Sequence, residues 1–178
     1  MKQLLIILLL TLSSSLAFAQ QPAAEVSFTF TRQSGRASNQ YAVWVQTAEG
    51  QYVATLNATR WTARGGWQRR PTSLPVWVSQ SDISEKTRVQ IDAVSSATGR
   101  TGSRTYVWNG TDNNGNPVPP GNFVIYVEGT LRWENQVMFR APIVIGQGAQ
   151  AAAVSTTFQG DSTAERGMLS GVTVRTLR

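Results

Sequence analysis

The stretch EVSFTFTR, Glu25 to Arg32, alternates strictly and places Val26, Phe28 and Phe30 on one face. A period of two marks a half-buried β-strand, and no segment of the chain sustains a helical period. YAVWVQT (Tyr41 to Thr47) is apolar enough for a central strand. The Glu49-Gly50 pair then turns the chain into QYVATLN (Gln51 to Asn57), which predicts a hairpin. VWV (Val76 to Val78) reads as a short strand, and VQIDAV (Val89 to Val94) alternates again. Between them, SDISEKTR predicts one helical turn capped by Ser81 or Asp82. Further strands are RTYVWNG from Arg104, FVIYVEGTLRW from Phe123 and NQVMFRAPIVIG from Asn135, with GVTVRT from Gly171 as an edge strand. Roughly seven to nine short strands with regular turn signals predict an all-β, Ig-like antiparallel β-sandwich.

The first segment stands apart from this pattern. Lys2 supplies a positive charge, LLIILLLTL an apolar run, and Ala17-Phe18-Ala19 the small-x-small pattern that signal peptidase reads. Residues 1–19 are therefore expected to be a signal peptide cleaved near Ala19, with the mature chain in the periplasm or secreted. The run is too short for a membrane span of roughly 20 residues, and no later segment is long and apolar enough for one. Residues 20–146 form the expected sandwich. Residues 147–178 read as a low-complexity tail that returns through the edge strand.

The chain has no His and no Cys. This excludes Ser-His-Asp catalysis, thiolate nucleophiles, His- or Cys-ligated metal and disulfides. The carboxylates are few, and a glycosidase needs two of them flanking a bond. Glu128 and Glu134 meet that need only if the strands make them face each other. The reading is a non-enzymatic module. TDNNGNP (Thr111 to Pro117) looks at first like a calcium loop, but Pro117 and Phe123 stand where an EF-hand needs Gly and Glu. It is read as a turn.

The formal charge is +6, almost all of it from Arg. The arginines are dense only in RWTARGGWQRRP, Arg60 to Pro71. Gly65, Gly66, Pro71 and Pro75 make residues 60–75 a long loop. Arg60, Arg64, Arg69 and Arg70, interleaved with Trp61 and Trp67, offer a site for an anionic glycan or lipid. The alternative is that the Trp rings pack on the sandwich while the Arg side chains face water. Nucleic acid is not an expected partner of an exported chain.

YAVWVQTAEGQYVATL, Trp61, DAVSSATGRTGSRTYVWNGTDNNGNPVPPGNFVIYVEG and RAPIVIG together resemble an exported bacterial family, domain of unknown function 2271. VWNGTDNNGNPVPPGNFVIYVEG is also similar to a hairpin of the Ig-like domain in the flagellar hook-capping protein. The family resemblance implies a periplasmic β-sandwich without assigned catalysis. It also implies a setting among membrane flavin reductases and flavin transferases. The chain departs from the family pattern at Gln46 and in RWEN (Arg132 to Asn135).

Asp92, Ser95, Ala97 and Thr98 resemble the acceptor motif of flavin transferases, in which the Thr hydroxyl takes FMN through its phosphate. Ser96 stands where that motif has Gly. Small neighbours would let the backbone enter a transferase, and Asp92 would help position the donor there. The competing reading is a plain inter-strand connection. Three functions therefore stand open: a docking module for another exported or membrane protein, a covalent FMN carrier modified on Thr98, and an anion binder using Arg60 to Arg70.

Overall fold

The computed structural model describes residues 22–35, 38–160 and 166–178. The expected signal peptide lies outside the described residues, as do Asp161 and Glu165. Among the described residues nine strands form two sheets, one of order β5-β1-β9 and one of order β4-β3-β2-β6-β7-β8. The smaller sheet pairs β1 (Ala24–Phe30) with β5 (Gly102–Trp108) and β9 (Leu169–Thr176). The larger contains β2 (Gln40–Thr47), β3 (Tyr52–Thr59), β4 (Ser95–Ser96), β6 (Gly121–Arg132), β7 (Asn135–Ile145) and β8 (Ser155–Gln159). Every pairing is antiparallel except the two-residue β3–β4 pair. The fold is an all-β sandwich, and its alternating strands explain it. Val26, Phe28 and Phe30 of β1 face Tyr41, Val43 and Val45 of β2 and Phe123, Ile125 and Val127 of β6 across one core.

β2 is buried along almost its whole length because both of its faces are covered. Its outward residues Ala42 and Trp44 belong to a second core with Ala58, Ala63, Leu74, Trp77 and Ile83. The cover is the chain between β3 and β4. It holds a kinked turn, Thr62–Gly66, followed by α1 (Trp67–Arg69), α2 (Pro75–Gln80), a 3₁₀ turn at Ile83–Glu85 and α3 (Arg88–Ala93). Three expectations are corrected here. Val76 to Val78 is helical, Val89 to Ala93 is helical, and residues 60–75 are a compact helical cap over most of their length.

The physical causes differ. α2 starts with Pro75 in its first turn, where a missing N–H costs nothing. Its free amides at Val76 and Trp77 donate to the Glu128 carboxylate on β6, at 3.1 and 2.7 Å. α3 is closed locally by a capping box, Thr87 with Gln90. The turn at residue 82 is entered by Asp82 in the left-handed region, with no side-chain cap.

The chain after Gly146 adds β8 to the edge of the larger sheet and β9 to the edge of the smaller one. Met168, Leu169 and Val174 are core residues. The Asp112 turn closes on itself: its carboxylate accepts from the Asn114 and Asn116 amides, both at 2.8 Å, and from the Asn116 side chain.

Candidate functional site: a cationic cavity beside Thr98

The two candidate regions of the sequence meet in space. Arg60, Trp61, Arg64, Gly65, Gly66, Gln68 and Arg69 line an open cavity of about 520 Å³ together with Ala97 and Thr98. The cause is the parallel pairing of Ser95 and Ser96 with Ala58 and Thr59 at the end of β3. That pairing sets the start of the 95–101 connection beside the residues that follow β3. The Ser96 hydroxyl donates to the Asn57 side chain at 2.7 Å and fixes the approach. The connection then crosses to the smaller sheet, where the Thr101 hydroxyl accepts from the Arg32 amide.

Thr98 is half-buried. Behind it stands Gln40, whose Nε2 donates to Thr98 Oγ1 at 3.4 Å. The amide orientation is set by its other end. Gln40 Oε1 accepts from the hydroxyls of Thr59 at 2.6 Å and Thr62 at 3.0 Å. Thr62 thus spends its proton on Gln40, so the Ser73 hydroxyl donates in the 2.7 Å Thr62–Ser73 contact. This buried chain ties the cap to β2 and presents a donor to Thr98. The Thr98 proton is left to point elsewhere.

The arginines are not equivalent. Arg64 makes a bidentate pair with Asp92 of α3, Nε to Oδ1 at 2.8 Å and Nη2 to Oδ2 at 2.7 Å. The Arg64 bonds, with Arg88 and Arg60 nearby, hold the Asp92 carboxyl below its ordinary range. Arg60 and Arg69 have no hydrogen bond or ion pair among the described residues, so the cavity lining keeps a net positive charge. Arg70 does not line the cavity. Its guanidinium lies 5.4 Å from the ring centre of Trp133, and partial burial lowers its pKa. Asp92 is likewise committed to Arg64 and Arg88 rather than to the cavity, and Ser95 is buried. Of the acceptor-like residues, only Ala97 and Thr98 face the open space.

The two Trp residues of the basic segment also divide. Trp67 packs against the second core. Trp61 keeps 44% of its surface exposed. It rests on Gly66, where an added Cβ would overlap ring atoms Cδ2 and Cε3 and the Trp61 carbonyl. Gly65, with φ of 99°, makes the kink that turns the chain under the ring.

Glu128 and Glu134 do not face each other across a cleft. Glu128 is fully buried, with both oxygens engaged by α2, and Glu134 is exposed on the β6–β7 turn. Sequence reasoning named Trp61 but missed Gln40 and Gln68, for which no local pattern exists.

Fold and cavity together define the class: an all-β sandwich with a small helical cap and one cationic, Trp-walled hollow beside an inter-sheet connection. Residues 23–164 match the family described as predicted periplasmic protein, domain of unknown function 2271, and the chain belongs to that family. The periplasm is therefore its compartment. No helix among the described residues is long and apolar enough to cross a membrane. No curated protein and no solved structure matches the chain.

Proposed function

We propose that the protein is a periplasmic accessory module of a flavin-linked redox system, carrying FMN covalently on Thr98. The observation that carries this reading is that Thr98 lines the same cavity as Arg60, Arg64 and Arg69. The cavity volume falls in the range of ligand sites, roughly 300–1,000 Å³. Its charge suits a phosphodiester, which keeps one negative charge after attachment.

The chain's own residues do limited work. Gln40 fills one lone pair of Thr98 Oγ1 and leaves another for bond formation. A flavin transferase supplies the catalysis. Oγ1 bonds to the FMN phosphorus of a flavin dinucleotide, the bridging pyrophosphate bond breaks, AMP leaves, and the hydroxyl proton passes to the transferase. Ala97, exposed, and Ser96 and Gly99, small, allow the enzyme to approach. Once bound, the flavin supplies one- and two-electron chemistry. The partners are a flavin transferase and a membrane flavin reductase.

The test is the intact mass of protein recovered from its native periplasm. The expected result is one added FMN phosphoester in the wild type, retained in Thr98→Ser and absent in Thr98→Ala. An unmodified mass in cells with an active flavin transferase overturns the reading.

A second reading, reversible binding of an anionic glycan or lipid, is favoured by the unpaired Arg60 and Arg69. Arg70, sequestered against Trp133, takes no part in it. Retention on an anionic resin would then fall with salt and be lost in the Arg60→Gln, Arg69→Gln double variant.

A further inference from the structure

We infer that Trp61 is a stacking platform, and that the cavity takes a planar aromatic ring joined to an anionic group. The inference rests on the cavity proposed above but not on covalent attachment.

An exposed Trp on a surface turn normally lies against whatever apolar surface is near. Trp61 is held differently. Its ring is seated on Gly66, where no side chain intervenes, and the same ring lines the hollow. Part of the indole is thus covered by backbone at Gly66, while 44% of the residue stays exposed for a ligand. The rest of the lining holds no second aromatic ring. Ala97 and the Thr98 methyl are the other apolar groups, while Gln68 and the three arginines are polar.

A flat ring needs only a flat partner. Stacking on an aromatic residue supplies the contact, and it is strong where cations stand beside it. Arg60 and Arg69 line the same cavity and make no ion pair among the described residues, so they are available to the ring's anionic substituent. Arg64 is already neutralised by Asp92. The ligand class follows: an aromatic heterocycle carrying phosphate, with the ring on Trp61 and the phosphate toward Arg60 and Arg69.

Free FMN is the probe, titrated into unmodified protein, with flavin fluorescence as the readout. Indole stacking quenches it. The wild type is expected to quench saturably. Trp61→Ala is expected to weaken the apparent affinity by about fivefold or more and to abolish the quench. Trp133→Ala, which removes the other strongly exposed indole, is expected to leave both unchanged. Riboflavin, which lacks the phosphate, is expected to bind more weakly than FMN. That difference is expected to vanish in the Arg60→Gln, Arg69→Gln variant.

No quench by the wild type, or an equal quench by Trp61→Ala, overturns the inference. The mass measurement judges covalent attachment separately. An unmodified mass with a Trp61-dependent quench sinks only the covalent reading. An FMN adduct with Trp61-independent fluorescence sinks only the platform.

Discussion

Glu128 shows what one residue can do in this fold. Its carboxylate sits on the capped face of β6, wholly out of water, and closes the two free amides of α2. Desolvation raises its pKa from 4.5 to about 7, and the amide bonds oppose the rise. A carboxyl whose folded pKa is raised favours the native state most when protonated. That advantage is complete below about pH 4.5 and is lost as pH rises to about 7. The loss attributable to Glu128 is of order 3 kcal/mol. Denaturant melts across this range should show stability falling with pH in the wild type and a flatter profile in Glu128→Gln. An unchanged slope in the variant would remove Glu128 from the account.

Trp77 lies beneath the same amides. It is fully buried, and its Nε1 donates to Thr55 Oγ1 at 2.9 Å. Trp77→Ala opens a cavity and leaves the Thr55 hydroxyl with Tyr52 as its partner, at a cost of about 3–5 kcal/mol in urea unfolding. Trp77→Phe loses mainly the hydrogen bond, and about 1–2 kcal/mol is expected.

At the scale of elements, the helical cap separates the legible from the illegible. β1, β2, β3, β6 and β7 follow from alternation and turn residues because each strand's pattern answers to a sheet face. The run VWV gives no such guide, since three apolar residues suit a strand or a buried helical turn equally. α2 is decided by Glu128, 51 positions away. α3 had a readable start, since Thr87 and Gln90 hold the spacing of a capping box. The period-two pattern of VQIDAV outweighed it. Its Val89 in fact points to water, 79% exposed.

The capping box carries a consequence for the cavity. α3 holds Asp92 against Arg64, so loosening α3 frees a third cation. Thr87→Ala should cost about 1 kcal/mol of stability. It should also increase anion retention at low salt, which Arg64→Gln would cancel. Retention unchanged by Thr87→Ala would show that Asp92 is positioned by Arg64 alone.

For the whole molecule, the +6 charge is less informative than its placement. Arg175 pairs with Glu25 across the smaller sheet, Arg104 lies over Phe30, and Arg70 lies over Trp133. Arg60 and Arg69 make no ion pair among the described residues, and both line the cavity. Neutralising these two should account for most of the salt-sensitive anion binding. Neutralising Arg175 and Arg140 should leave it nearly intact. Affinity on an anionic column at two ionic strengths separates the cases.

The sequence by itself determined the sandwich, because alternation and turn chemistry are local and each strand carries its own record of which face is dry. It also determined which residue types could act, since the absence of His and Cys leaves hydroxyl, guanidinium and indole chemistry. Only the tertiary structure decided that Thr98 and the Arg60–Arg69 segment form one place. They are joined by the short parallel contact of β4 with β3 and by Gln40, reaching from β2 to both sides. Such contacts connect positions dozens of residues apart, and nothing in the local pattern of either segment specifies the other.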